Sequence, residues 1–147
     1  MAGNERQLQV SAEQCIGCRA CATVCPAELI TLADDDHRRT VRFAAVCAEE
    51  CDRCEEACPT QAIHLAPAVA PVGEGTTLSF ILQACSGCGA PLGPVEMLAY
   101  LRTAIPAQVQ ADAEGQDWLE MCPTCRQQVE AQRMGREVLL TRSFPTF

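Results

Sequence analysis

The sequence predicts an α+β protein made of two small modules that are organised by cysteines rather than by a large apolar core. Twelve of the 147 residues are cysteine, whereas aromatic residues make up only 4% of the chain. The dipeptide Cys25-Pro26 and its surroundings recur 33 residues later around Cys58-Pro59. Small modules with few large side chains need metals or disulfides in order to fold. We therefore expect the cysteines to determine both the fold and the function.

The repeat predicts the same local structure in both halves of residues 1–66. An apolar stretch follows each Cys-Pro pair, at residues 29–32 and again at residues 62–65, so a short strand is expected at both places. Between the two copies, residues 29–46 alternate in polarity around an aspartate-rich turn at residues 34–36. This pattern predicts a β-hairpin.

Composition divides the chain into four parts. Residues 1–66 carry the repeat and are predicted to form the first module. Residues 67–77, which are rich in proline and glycine, are predicted to be a linker. Residues 78–134 are predicted to form a second module with four cysteines, and residues 135–147 a tail that no pattern places.

The second module is predicted to contain one strand and two helices. Residues 78–82 have the apolar character of a short strand. Apolar side chains recur at helical spacing over residues 94–105, and residues 127–134 predict another helix after the last cysteine.

Charge and hydropathy limit the compartment and the partners. The first ten residues are polar, so no signal peptide is expected. The most apolar run, Leu78–Ala84, is far shorter than the ~20 residues of a membrane span. We expect a cytoplasmic chain whose thiols stay reduced and available to metals. The net charge of −8 argues against nucleic acid as a partner and leaves other proteins.

Eight cysteines in the first module have the spacing of iron–sulfur ligands. The run from Cys15 to Cys25-Pro26, with gaps of two, two and three residues, matches the bacterial ferredoxin pattern, in which the fourth cysteine ligates the other cluster of a pair. The repeat supplies the reciprocal arrangement. We therefore predict two [4Fe–4S] clusters with crossed ligation. The first site comprises Cys15, Cys18, Cys21 and Cys58, and the second site comprises Cys47, Cys51, Cys54 and Cys25.

The second run departs from the first by one residue. Three residues separate Cys47 from Cys51, where the first run has two, and this spacing also matches the radical-SAM cluster motif. A radical-SAM enzyme needs a large barrel, and a chain of 147 residues with another cluster motif has no room for one. We interpret the extra residue as a local bulge, and the assignment of Cys47 depends on this interpretation.

The last four cysteines form two further pairs. Cys85 and Cys88 are separated by two residues, as are Cys122 and Cys125. Two such pairs present four thiolates to a tetrahedral ion, which predicts a zinc-ribbon-like module with one zinc ion. A rubredoxin-like iron would use the same ligands, and a redox-active disulfide is a third reading. We call these four residues the C-terminal site.

Other polar residues are expected to be ordinary surface groups. His37 and His64 are predicted to face solvent rather than to bind a metal, and Arg38 and Arg39 to lie in a solvated turn. No glycine-rich phosphate loop and no nucleophile–base pattern is recognisable. We expect no catalytic residues, and hence an electron carrier rather than an enzyme.

The whole pattern resembles the small iron–sulfur subunit of formate hydrogenlyase and related membrane-bound hydrogenase complexes. The resemblance rests on the Cys15-Ile-Gly-Cys18 motif, the two Cys-Pro turns, Cys122-Pro-Thr-Cys125 and the helical segment at residues 97–101, and it extends from Gln14 to about Met134. It implies a subunit that relays electrons between a formate dehydrogenase-like enzyme and a hydrogenase. It also implies a location at the inner face of the membrane through that complex. The longer Cys47–Cys51 gap departs from the family pattern.

Two other functions fit the same residues. The chain could be a free soluble ferredoxin that serves one dedicated redox enzyme. It could also be an assembly or sensor protein whose clusters report the redox state to a bound target.

Overall fold

The computed structural model describes residues 5–47, 50–111 and 114–141. Within these residues, short strands alternate with short helices in the first half, and two longer helices follow in the second half. The strands are β1 (Arg6–Val10), β2 (Ile30–Asp34), β3 (Arg38–Phe43), β4 (Val46–Cys47), β5 (Ile63–Pro67), β6 (Thr76–Ala84) and β7 (Pro91–Pro94). The α-helices are α1 (Ala20–Val24), α2 (Arg53–Glu56), α3 (Val95–Ala104) and α4 (Pro123–Thr141), with single 3₁₀ turns at Ala107–Val109 and Trp118–Glu120.

The strands form two antiparallel sheets. One sheet has the order β4-β1-β5, so the first strand of the chain is paired on both sides. The other sheet has the order β2-β3-β6-β7. A buried cluster that includes Leu8 of β1, Val41 of β3 and Phe80 of β6 joins the two sheets. The mixed α+β class predicted from the sequence is confirmed.

The internal repeat is visible in the backbone. Ile30 and Ile63, which are 33 residues apart, begin β2 and β5, and both are buried. Before each strand, Glu28 and Gln61 adopt positive φ angles of 52° and 55°. Their N–H groups donate to the carbonyls of the preceding cysteines, Cys25 and Cys58, at 3.4 and 3.3 Å. The two Cys-Pro turns are therefore the same structure built twice.

The predicted hairpin is confirmed, and a third strand extends it. β2 and β3 pair in the register Ile30↔Phe43, and the turn at residues 35–37 is closed by N–H groups that donate to the carboxylate of Asp35. The strand predicted at residues 78–82 runs from Thr76 to Ala84 and pairs with β3 over its first six residues. The strand that follows the predicted linker thus joins the sheet formed by residues before it. The division into two modules stays a prediction.

The N-terminal strand β1 is one of the elements that the sequence analysis does not predict. Its residues alternate, with Leu8 buried in the core and Val10 packed against it. That alternation is the ordinary strand signal. β1 matters for the site because it lies between β5, which follows Cys58, and β4, which ends at Cys47, and pairs with both.

Helix α3 lies where it is predicted, whereas α4 is much longer than expected. α3 spans Val95–Ala104. α4 begins directly after Cys122 and runs to Thr141, through the region predicted to be a tail. Residues 142–147 of that tail lie outside the described part of the chain. None of the helices in the described residues combines the length and the apolar character needed to cross a membrane.

Arg39 corrects one expectation about the surface. Arg38 is exposed as predicted, but Arg39 is only 7% exposed. Its guanidinium donates to both carboxylate oxygens of Asp34 at 2.8 Å and to the carbonyl of Gly17, also at 2.8 Å. Arg39 therefore links the β2–β3 hairpin to the loop of the first site. The two histidines are exposed, as expected, and His64 Nδ1 lies 2.6 Å from a carboxylate oxygen of Glu55.

We expect Arg39→Ala to lower the resistance of the protein to denaturant. The substitution removes hydrogen bonds to a charged group, which contribute about 1.5–3 kcal/mol to stability, and Arg38→Ala is the matched exposed control. The hydrogen bonds from Arg39 lower the pKa of Asp34. The Arg39–Asp34 pair therefore stabilises the fold at a pH above the pKa of an aspartate in the unfolded chain, about 3.9. This stabilisation is lost as the pH falls through the lower pKa of Asp34 in the folded protein. The guanidinium chloride midpoint, measured at neutral pH for both variants, checks this; equal midpoints would contradict it.

Candidate metal centres

The four cysteines predicted for the first site line one small cavity. Three come from the loop and helix that precede the first Cys-Pro turn, and Cys58 comes from the second turn, more than 30 residues away. Val41, Phe43 and Ile63 form the apolar part of the same wall. The fold therefore brings together the cysteines at the first site, including the one that is distant in sequence.

The electrostatics of this cavity show that its thiols are close neighbours. Burial raises the pKa of Cys21 to about 12, and the nearby thiols of Cys18, Cys15 and Cys58 add to the increase. Burial also raises the pKa of Cys15, and Cys58 contributes there as well. Backbone N–H groups oppose the increase: Gly17 donates to Cys15, and Ala22 donates to Cys21. The N–H of Ala62 also donates to the Cys58 sulfur, at 3.2 Å. Crowded thiols of this kind are stable as thiolates only when a metal compensates their charge.

The cysteines predicted for the second site influence one another as well. Burial raises the pKa of Cys54, and the nearby thiols of Cys25, Cys47 and Cys51 increase it further. Cys25 comes from the first Cys-Pro turn, and the other three come from β4, the following loop and α2. Arg6 of β1 donates to the carbonyl of Cys51. Cys25, Cys47 and Cys51 are thus near enough to Cys54 to affect its pKa, and the ligand set of the second site stays a prediction.

The extra residue in the second run falls on a part of the loop that is not described. Residues 48 and 49 lie outside the described residues, so the predicted bulge between Cys47 and Cys51 stays a prediction. Cys47 itself is buried at the end of β4.

The C-terminal site is tighter than the two N-terminal ones. The sulfurs of Cys85, Cys88, Cys122 and Cys125 all lie within 4.8 Å of one another, and no other group of three or more candidate ligands in the described residues does so. The sulfurs of Cys88 and Cys122 are 3.7 Å apart. A tetrahedral ion with metal–sulfur bonds of about 2.3 Å places its ligand sulfurs about 3.8 Å apart. The four thiols therefore fit one tetrahedral metal ion.

The two cysteine pairs of this site occupy different local structures. Cys85 directly follows β6, and a turn closed by the Cys85 N–H and the Ala90 carbonyl at 2.7 Å leads into β7. Cys122 and Cys125 instead lie at the start of α4. The four-cysteine group is confirmed, but the zinc-ribbon identity is not, because the second pair precedes a helix rather than turning between two strands.

Hydrogen bonds to sulfur join the two pairs. The N–H of Cys122 donates to the Cys85 sulfur at 3.1 Å, and Gly87 N–H donates to the same sulfur at 3.4 Å. These donors lower the pKa of Cys85 to about 6. The sulfur contacts of Cys125 with Cys122 and Cys88 raise its own pKa to about 12. N–H donors to sulfur favour the deprotonated form in which a cysteine binds a metal ion.

A polar network holds the second pair in position. Arg102 of α3 donates to Asp117 at 2.5 Å and to Glu120 at 3.2 Å, just before Met121-Cys122. The side-chain amide of Gln110 donates to the carbonyls of Arg102 and Ile105, which end α3. The predicted helix between the cysteine pairs therefore orients the C-terminal site, although it contributes no ligand.

Sequence reasoning missed the residues that cover the first-site loop. Gly17 is buried, with a φ angle of 63°, and a β-carbon there would lie 2.8 Å from the ring of Phe80 and 3.1 Å from Pro94. Both residues follow the predicted linker. A strand pattern shows which faces are apolar but not which loop lies against them, so the sequence held no signal for this contact.

The comparisons with known proteins concern the first module. No curated protein matches the chain. Residues 14–62, about a third of the chain, match the family model described as a 4Fe-4S dicluster domain. The matched segment contains the cysteines of both N-terminal sites and ends just before β5. Residues 14–62 therefore form a 4Fe-4S dicluster domain, to which the chain adds a separate group of four cysteines that fits a metal ion.

Proposed function

We propose that this chain transfers electrons through two [4Fe–4S] clusters and takes no substrate of its own. The main support is that Cys58, from the second half of the repeat, lines the same cavity as Cys15, Cys18 and Cys21 of the first half, inside a segment that matches a dicluster domain. The influence of Cys25 on the pKa of Cys54 supports the reciprocal arrangement at the second site. Each bound cluster supplies a one-electron redox centre. The chain holds the centres, excludes water and donates N–H groups to the cysteine sulfurs.

The C-terminal site fits a structural metal rather than a third redox centre. Two of its cysteines, Cys85 and Cys125, form a small core with Met121, against which Leu92 and Val129 pack. A closed four-thiolate zinc site supplies folding energy to such a module and does not change oxidation state. We therefore assign zinc there, with a rubredoxin-like iron as the alternative metal for the same ligands.

We further propose that the chain works as a subunit of a formate hydrogenlyase or hydrogenase-type complex. The support is the sequence resemblance given above, together with the end of α4, where Leu139 and Leu140 are 75% and 85% exposed. Exposed apolar side chains grouped on one helix are typical of a surface that contacts another protein. On this proposal the partners are a hydrogenase and a formate dehydrogenase-like enzyme, and the location is the cytoplasmic face of the membrane.

Metal analysis tests the assignment of all twelve cysteines. Protein purified under anaerobic conditions is expected to hold about eight irons and about one zinc per chain, because each group of four cysteines then has its full complement. About nine irons without zinc would make the C-terminal site rubredoxin-like. Fewer than about five irons after reconstitution would contradict two [4Fe–4S] clusters.

A further inference from the structure

The two cluster sites come from one repeat, yet their surroundings differ. Gly17, which precedes Cys18 in the first loop, is buried under Phe80 and Pro94. The repeat places Glu50 in the matching position, directly before Cys51 in the second loop, and Glu50 is exposed. The strands after the dicluster domain therefore lie over Gly17 of the first loop, whereas the residue described at the matching position of the second loop is exposed.

Arg39 also holds the first-site loop in place. Its buried guanidinium donates to the Gly17 carbonyl and is held in place by both carboxylate oxygens of Asp34. The nearby Asp34 carboxylate balances the positive charge, so the contact fixes the loop without leaving an uncompensated charge beside it. Phe80 belongs to the same buried cluster as Cys21 and Val41, so it is part of the apolar core beside the first site.

We propose that Phe80, Pro94 and Arg39 form a cover over the first-site loop that lowers the reduction potential of the first cluster relative to the second. The proposal rests on the proposed function, since it requires both clusters. A cluster held by four thiolates becomes more negative when it takes an electron, and burial disfavours the form with more charge. Excluding water from one loop of a repeated pair therefore makes that cluster harder to reduce. Phe80, Pro94 and Arg39 act as positioning residues, since each acts through the loop and none is a ligand.

The central test is Phe80→Ala in the full chain, with Ile81→Ala as the matched control. Ile81 is the next residue of the same strand, but its side chain is 64% exposed on the opposite face. A redox titration followed by EPR gives both potentials, and cysteine resonances in paramagnetic NMR identify which cluster each belongs to. We expect Phe80→Ala to raise the potential of the first cluster and to leave the second unchanged. Ile81→Ala is expected to change neither.

Phe80→Leu keeps the experiment decisive if the alanine variant fails to fold. Leucine keeps part of the apolar cover, so a smaller rise at the first cluster is expected. Unchanged potentials, or equal changes at both clusters, in the folded variants would overturn the inference. Failure of the proposed function looks different, because the wild-type chain would then lack the two cluster signals altogether.

Discussion

Cys58→Ser is expected to destroy the cluster that is far from it in sequence and to spare the near one. Cys58 lines the cavity of Cys15, Cys18 and Cys21, so its loss leaves the first site with three thiolates. The iron content is expected to fall from about eight to about four per chain, or to about seven if a three-iron cluster persists at the first site. EPR and iron analysis of the anaerobically purified variant measure this outcome.

The reciprocal variant is the matched control for this experiment. Cys25 lies with Cys54 at the second site, so Cys25→Ser is expected to damage the second cluster instead. If Cys58→Ser removes the cluster held by Cys51 and Cys54 and preserves the other, the crossed ligation is refuted. The same comparison applied to Cys47→Ser tests the longer gap in the second run.

Replacing both Cys122 and Cys125 by serine is expected to abolish assembly with redox partners while both clusters persist. The double substitution removes two of the four ligands. The module then loses the binding free energy of its metal, which is about 10 kcal/mol for a structural zinc ion. The exposed end of α4 then loses its anchor at the C-terminal site. Co-purification from the native host, cluster EPR and electron flow between the partner enzymes measure the three parts of this prediction.

A milder variant separates docking from folding. Leu139→Ser and Leu140→Ser change side chains that are already exposed and leave all four thiols in place. If the exposed end of α4 contacts the partner, this variant is expected to keep its zinc and still fail to co-purify. Full assembly of both the zinc-site variant and the leucine variant would instead favour the free soluble carrier.

Local features were predictable from the sequence because short-range patterns encode them. The repeated strands that begin at Ile30 and Ile63 and the hairpin between them follow from alternation and turn residues. The proximity of Cys58 to the first three cysteines was also predictable, since cluster geometry dictates it. In each case, the feature is determined either by residues that are close together in the sequence or by a motif whose spacing has a known physical reason.

The rest depends on long-range contacts that the sequence does not display. The pairing of β6 with β3 and the cover over Gly17 join segments separated by a proline-rich connection. The burial of Arg39 could have been anticipated from the hairpin, because Asp34 and Arg39 are directly opposed in its register. Helix α4 extends through Gly135, a residue type that usually predicts a helix end.

The doubled Cys-Pro turn also constrains how the protein can be made. On the predicted crossed ligation, each turn ends one half of the repeat but contributes its cysteine to the metal centre of the other half. In that arrangement, neither half can complete a metal centre alone. A nascent chain that contains only the first copy of the repeat is therefore unable to hold a whole cluster. Loading must wait until the second copy has been synthesised, and filling one centre brings the ligands of the other together. Biogenesis is therefore expected to be all-or-none, with metal delivery and folding completed as one event.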